Sequence, residues 1–101
     1  MKEMSYIAAT VLHAIRLERR HGFQIMEAAG LASGTVYPAL RRLEKGGLIR
    51  SRWERETVAR SEQRPARRYY QLTREGEAAL AAAGERFRFP ELSAAGRKAA
   101  P

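Results

Sequence analysis

The sequence contains no cysteine, only two histidines and a single tryptophan among its 101 residues. Without cysteine, disulfides, thiol catalysis and cysteine-based zinc sites are excluded. His13 and His21 have no acidic cluster near them in sequence, and no nucleophile–base pair or phosphate-binding loop is present, so we expect no enzyme activity, no metal and no cofactor. No apolar run approaches the roughly 20 residues of a membrane span, and no signal peptide follows Met1. We therefore expect a cytoplasmic protein.

Positive charge is plentiful and concentrated in one part of the chain. Nineteen Lys and Arg residues against eleven Asp and Glu give a formal net charge of +8 and a pI near 10.8. Eleven of the cations and four of the anions lie between Arg41 and Arg74, so a net +7 falls within one third of the sequence. Clustered cations favour a polyanionic partner, either nucleic acid or an anionic membrane surface. The alternative is a protein that is basic without such a partner.

The segment Ser33–Gly47 predicts a helix with two different faces. Ser33 is a suitable N-cap, and the pair Gly46-Gly47 is suited to end the helix with a left-handed residue. An apolar stripe recurs at helical spacing at Val36, Leu40 and Leu43. The opposite face carries small and polar residues followed by cations: Gly34, Thr35, Pro38, Arg41, Arg42 and Lys45. Such a face suits a DNA groove, although an ordinary amphipathic surface helix gives the same pattern.

The rest of the sequence predicts two helices before this one, and a strand hairpin and a last helix after it. The expected elements are helix Ser5–Glu18, helix Phe23–Ala29, helix Ser33–Gly47, strand Leu48–Glu54, an irregular mobile loop Thr57–Ala66, strand Arg67–Leu72 and a helix from Thr73 to Pro90. In the second helix we expect Phe23 and Met26 to point inward and Gly30 to form the C-cap. The predicted fold class is mainly α with a two-stranded β wing, a winged helix-turn-helix of order helix-helix-helix-strand-strand-helix. The predicted domains are residues 1–72, the winged helix-turn-helix; 73–90, a C-terminal helix for dimerisation; and 91–101, a flexible tail.

Three motifs resemble the PadR family of bacterial transcriptional regulators. His21-Gly22-Phe23-Gln24-Ile25 looks like the His-Gly-Tyr-Glu-Ile turn of that family. The run Ser-Gly-Thr-Val-Tyr-Pro-Ala-Leu-Arg-Arg-Leu-Glu from Ser33 to Glu44, followed by Gly47-Leu48-Ile49, resembles its recognition-helix signature. Arg64 to Thr73, which contains Arg-Pro-Ala-Arg-Arg-Tyr-Tyr, resembles the wing and its exit. Gln63 replaces a glycine often found before the Arg-Pro pair, and the short C-terminal region resembles the compact members of the family.

The resemblance implies that the Ser33 helix enters the major groove of double-stranded DNA beside a basic wing. The candidate DNA-binding residues are His21, Ser33, Gly34, Thr35, Tyr37, Pro38, Arg41, Arg42, Lys45, Arg64, Arg67 and Arg68. We expect Gly34 and Thr35 to meet base edges, and the resemblance implies a phosphate contact for Tyr37. The alternatives are a core-edge position for Tyr37 and a merely solvated face for the cations. Trp53 is interpreted as strand core more readily than as a ligand platform, with a combination of both roles as the alternative.

These observations favour a sequence-specific DNA-binding transcriptional regulator, a homodimeric repressor that binds a pseudo-palindromic operator. A small-molecule or protein effector of unknown identity would act on the dimer, and no membrane partner is expected. Phe87, Phe89 and Leu92 are candidates for the dimer contact, or for packing back onto the first helix. The alternative function is a winged-helix protein-interaction module that docks an acidic partner. A third hypothesis, an enzyme, has no supporting motif.

Overall fold

The computed structural model describes residues 4–85 and residue 87. Its elements are α1 Tyr6–Arg16, α2 Gly22–Ala29, α3 Ser33–Lys45, β1 Ile49–Trp53, α4 Glu56–Ser61, β2 Arg68–Leu72 and α5 Arg74–Gly84. The predicted fold class, mainly α with a two-stranded wing, is confirmed, and α4 is additional to the predicted order. Among the described residues, no helix combines the length and the apolar character that crossing a membrane requires.

Helix α1 lies at the centre of the core because most of its circumference is apolar. The Ser5 side chain caps its start by accepting the Ala8 N–H at 3.1 Å. Val11, Leu12 and Ala14 are fully buried. They belong to one cluster with Ile25, Val36, Ala39, Leu40, Ile49, Tyr70 and Leu80. This cluster gathers α2, α3, α5 and the sheet around α1, since each large aliphatic side chain contributes about 1.5–3 kcal/mol when buried.

Helix α2 begins at Gly22, one residue earlier than predicted, and its buried face differs accordingly. The inward row, spaced three residues apart, is Gly22, Ile25 and Ala28. Phe23 lies off this row and is 59% exposed, so the prediction that it points inward is wrong. Met26 packs against the core and is partly buried. Gly30 ends the helix in the left-handed conformation with φ 68°, which confirms the predicted cap.

Helix α3 has its N-cap at Ala32, so the prediction that Ser33 caps it is wrong. The Ala32 carbonyl accepts the N–H groups of Thr35 and Val36, each at 3.0 Å. Ser33 is therefore the first helical residue, and no side chain caps the helix. The extended backbone that a cap requires falls one residue earlier than the serine. At the other end Gly47 is left-handed with φ 79°, as the glycine pair predicts.

The sheet pairs β1 with β2 in antiparallel register, from Ile49 opposite Leu72 to Trp53 opposite Arg68. The connection between α1 and α2 adds a short third edge. His21 forms a bridge with Tyr69, and the Tyr70 N–H donates to the Arg20 carbonyl at 2.7 Å. The wing is thereby hydrogen-bonded to the chain that leads into the helix-turn-helix.

The segment between the strands contains α4, where the sequence predicts an irregular loop. Ala59 is only 2% exposed, and its carbonyl accepts the Arg64 N–H at 3.1 Å. Glu56 and Arg60 form an exposed ion pair at 3.2 Å, which contributes little to stability. Gln63 takes the left-handed conformation with φ 55° that glycine adopts more easily. The loop prediction is wrong because a six-residue helix is too short to show an apolar period.

Thr73 precedes helix α5 and hydrogen-bonds its first turn to Gly47, just after the end of α3. The Thr73 hydroxyl accepts the Gly76 N–H at 3.0 Å and donates to the Gly47 carbonyl at 2.6 Å, which confirms the predicted cap. Gly76 lies directly against the Leu48 carbonyl, so a Cβ at this position would overlap the backbone oxygen. The helix packs on the core through Leu80 and Ala83.

Phe87 packs back onto α1 within the described chain. Its ring meets Tyr6 edge-on with 5.3 Å between the ring centroids. This contact corresponds to the second of the two roles predicted for Phe87. The predictions for Phe89, Leu92, the helix end at Pro90 and the tail 91–101 concern residues outside those the structure describes.

Candidate nucleic-acid interface

The outer face of α3 presents exposed small residues first and exposed cations further on. Gly34 and Thr35 lie in its first turn, and among the described residues no atom lies within 4 Å of where a side chain at Gly34 would begin. Arg41, Arg42 and Lys45 follow along the same face. In the part of the chain that the structure describes, these three cations form no ion pair, so their charge is available to an external anion. Val36, Leu40 and Leu43 are buried on the opposite side of the helix. Their burial fixes which face of α3 is exposed.

Tyr37 lies at the side of α3, where its ring covers Gly22 of α2. A Cβ at Gly22 would overlap the Tyr37 hydroxyl and the adjacent ring carbons. Tyr37 itself remains 40% exposed. The glycine after His21 therefore leaves the space that the Tyr37 ring and hydroxyl occupy against α2.

Pro38 occupies the second turn of α3 and changes its hydrogen bonding. Since proline has no N–H, the Gly34 carbonyl loses the donor that would complete the i to i+4 bond. Gly34 is itself an exposed residue in the first turn of the helix.

Arg68 connects the wing to α3 rather than standing free. Its guanidinium donates to the Ser51 hydroxyl at 2.8 Å and to the Glu44 carboxylate at 3.2 Å. Ser51 in turn donates to Glu44 at 2.7 Å. The same guanidinium lies 5.6 Å from the centroid of the Trp53 ring, within the range of a cation–π contact. Arg68 is 42% exposed, so its outer edge still faces solvent.

Arg64, a predicted DNA-binding residue, is held inside the wing by Glu54. Its guanidinium donates to the two carboxylate oxygens at 2.6 and 2.9 Å, and its side chain is only 18% exposed. Glu54 also accepts the Tyr69 hydroxyl at 3.1 Å and the Arg67 N–H at 3.3 Å. The Arg64 hydrogen bonds are the main reason that the Glu54 pKa is lowered from 4.5 to about 2. Arg64 thus organises the wing, while the side chain of Arg67 is half-buried beside it.

His21 is buried at the base of the wing, whereas the sequence interpretation places it in a turn beside DNA. It is 8% exposed, and its ring meets Tyr69 edge-on at 5.9 Å. Burial, followed by the nearby charges of Arg67 and Arg64, lowers the His21 pKa below its usual value, and Glu54 opposes this shift. Its imidazole therefore supports the wing as a neutral group and does not present a cation at the surface.

Two exposed aromatic residues join the site although the sequence analysis does not assign them to it. Phe23 and Trp53 are 59% and 64% exposed, and both line a cleft of about 460 Å³ between α2, Tyr37 of α3 and the wing. Trp53 shares the sheet face of Ser51 but lies beyond the core, so its interpretation as strand core is wrong. The position of Phe23 within the His-Gly-Phe motif is the one sequence signal for this cleft.

Comparison with family models identifies one family, and solved transcriptional regulators share the fold. The model of the transcriptional regulator PadR-like family matches residues 11–82. A PadR family transcription regulator from hypervirulent Clostridium difficile R20291 is 32% identical, with a TM-score of 0.65 over 84% of this chain and 90% of that one. A PadR-like transcription factor from Bacteroides fragilis is 28% identical, with a TM-score of 0.57 over 76% of this chain and 77% of that one. A transcriptional regulator from Clostridium thermocellum is 26% identical, with a TM-score of 0.62 over 80% and 79%. No curated protein sequence matches significantly.

Proposed function

The chain belongs to the PadR-like family of transcriptional regulators, and from this premise we propose that it is a homodimeric repressor that binds a pseudo-palindromic operator. The family consists of DNA-binding regulators and not of enzymes, and the proposal adds symmetry, direction of regulation and residue roles. The observation that carries it is the outer face of α3, where Arg41, Arg42 and Lys45 are exposed beside a wing that is hydrogen-bonded to the same helix.

In this proposal the first turn of α3 reads the bases. Small side chains at Gly34 and Thr35 let the backbone approach the major groove, and the Thr35 hydroxyl and methyl reach base edges. The N–H of Ser33 at the helix start and the free carbonyl opposite Pro38 are a donor and an acceptor at the same end of the helix. Tyr37 and the cations further along bind phosphates and set the register.

The wing and the aromatic cleft position the same duplex. Arg67 and the outer edge of Arg68 contact phosphates, and Phe23 and Trp53 pack against the sugar–phosphate backbone. Arg64 and His21 act only through the wing that they support, because their side chains are occupied inside it. Residues 1–72 form the DNA-binding unit, and the chain from Thr73 onward contributes the dimer contact.

Dimerisation places two copies of α3 in successive major grooves on one side of the duplex. Their separation is then about one helical turn, 10–10.5 base pairs between half-site centres. An effector that changes this separation would shift the dimer between binding and non-binding states. A dimer bound across a promoter excludes RNA polymerase from it. In this proposal the protein therefore acts as a repressor.

Selection from random duplex DNA with the purified full chain, at a stated salt concentration, tests the proposal. We expect a palindromic motif with that half-site spacing, loss of selection for the Arg41→Ala/Arg42→Ala variant, and retention for Arg74→Ala, whose side chain lies on the far side of the sheet. Sedimentation measures the dimer, and in vitro transcription from a promoter carrying the motif is expected to fall. Featureless recovery of DNA, with binding instead to acidic polypeptides, would favour the protein-interaction module.

A further inference from the structure

A second group of cations surrounds an open basin on the side of the wing that faces away from α3. The arginines that line it are Arg16, Arg20, Arg50, Arg52 and Arg74. They come from the end of α1, the connection to α2, β1 and the start of α5, so the fold brings together residues that are far apart in sequence. The basin measures about 900 Å³, and its two carboxylates are Glu18 and Glu77.

Side chains alternate along β1, so this basin lies on the sheet face opposite to the one that contacts α3. Arg50 is paired with Gln71 and Arg52 with Tyr69, and side chains of directly paired residues share one face of the sheet. Ser51, between the two arginines, points the other way and bonds Glu44 of α3. A duplex that lies on α3 therefore has the sheet between it and the basin.

The guanidinium groups of the basin are only partly satisfied by the protein. Arg20 pairs with Glu18 at 2.9 Å, and Arg50 donates to the Gln71 side chain at 3.3 Å. Within residues 4–85 and 87, no hydrogen bond or ion pair is formed by the side chains of Arg16, Arg52 and Arg74. Five cations thus face two carboxylates, and three forks of N–H donors remain for a ligand.

We propose that this basin binds a multivalent phosphate anion of up to nucleotide size. Guanidinium forks match phosphate oxygens in pairs and bind them by charge-assisted hydrogen bonds. A volume of about 900 Å³ lies within the ~300–1,000 Å³ of ordinary small-molecule sites. The half-buried ring of Tyr69 on the basin side offers an apolar surface for a base. This site does not depend on the proposed operator binding, because its cations are on the opposite sheet face.

Isothermal titration of the full chain at low salt tests the site, with pyrophosphate and ATP as separate probes. We expect binding of both to the wild-type protein, and a loss of affinity of about tenfold or more for Arg52→Gln/Arg74→Gln, because two guanidinium groups that donate charge-assisted hydrogen bonds are removed. The control is Arg55→Gln/Arg60→Gln, which removes the same charge at α4 and is expected to bind as the wild type does. Thermal melts confirm that both variants fold.

The outcomes separate a site from diffuse attraction. Tighter binding of ATP than of pyrophosphate assigns the basin to a nucleotide, and equal binding assigns it to the phosphate groups alone. Absence of binding by both probes overturns the proposal, as does an equal loss in the two variants. Loss of binding in Arg41→Gln/Arg42→Gln with retention in the basin variant also overturns it, because the anion would then lie on α3. These conclusions about the basin hold whether or not the selection from random DNA recovers an operator motif.

Discussion

Glu54 and Arg64 form a two-pronged ion pair at 2.6 and 2.9 Å that closes the wing at the point where β1 ends. Ten residues separate the two partners in sequence, and α4 lies within the loop that they close. The pair holds one of the predicted DNA-binding arginines inside the wing, where its guanidinium is occupied by a carboxylate. Replacing Arg64 is therefore expected to lower folding stability, whereas the sequence predicts that it weakens DNA binding.

Replacing Glu54 by glutamine is expected to remove part of the pH dependence of folding. The folded pKa of about 2 lies below the ordinary value of 4.5, so Glu54 contributes stability above pH 4.5, and this contribution is lost as the pH falls towards 2. Denaturation midpoints between pH 6 and pH 2, followed by circular dichroism, should fall less steeply in Glu54→Gln than in the wild type. Glu62→Gln is the control, because that carboxylate is 57% exposed. Parallel curves for wild type and Glu54→Gln would contradict the assignment.

The salt dependence of DNA binding is expected to distinguish free cations from committed ones. Arg42→Ala should make the negative slope of log K against log salt shallower by about 0.9, the value for one phosphate contact. Arg64→Ala should change the slope little and lower the denaturation midpoint instead, since its charge is paired with Glu54. Fluorescence anisotropy at several salt concentrations measures the slope. A slope change for Arg64→Ala as large as that for Arg42→Ala would show that Arg64 contacts DNA.

Tryptophan emission offers a direct test of the aromatic cleft, because Trp53 is the only tryptophan in the sequence. The side chain is largely exposed and lines the cleft beside Arg68 and Tyr37. Saturation with operator DNA should therefore change its intensity and shift its maximum. Saturation with pyrophosphate, which is proposed to bind on the other sheet face, is the control and should leave the spectrum unaltered. An unchanged spectrum in saturating DNA would place Trp53 outside the contact.

Gly22→Ala and Tyr37→Ala are expected to impair DNA binding through the same defect. A methyl group at Gly22 displaces the Tyr37 ring from α2, while the loss of folding stability stays within about 1–3 kcal/mol because the ring can swing outward. The double variant should bind DNA no more weakly than Tyr37→Ala alone. Additive losses of affinity in this double-mutant cycle would show that the two positions act separately.

Gly76→Ala is expected to destabilise the fold much more than Gly84→Ala. At Gly76 the added Cβ meets the Leu48 carbonyl, a backbone atom that cannot move without breaking its bond from the Thr73 N–H at 3.1 Å. Overpacking of this kind costs about 1–3 kcal/mol or more. Gly84, with nothing near it, supplies the control. Urea midpoints for the two variants provide the measurement, and equal midpoints would contradict the contact.

The features that the sequence predicts well are those with a local period or a strong cap. The stripe of Val36, Leu40 and Leu43 is buried as expected, and Gly30 and Thr73 cap their helices. The structure departs from the sequence expectation where a helix boundary or a distant side chain decides. Phe23 is rotated outward because the helix starts one residue earlier, and Arg64 is drawn inward by a carboxylate ten positions away.

The hydrogen bond from the Tyr70 N–H to the Arg20 carbonyl joins residues fifty positions apart. Closing so long a loop costs chain entropy, and contacts between residues far apart in sequence slow folding. During synthesis the connection between α1 and α2 therefore lacks its edge partner until β2 has left the ribosome. A fragment that stops after α3 would keep the helix-turn-helix sequence but lose this partner and the buried Tyr70 ring. The wing can therefore close on the body only after both of its strands have been synthesised.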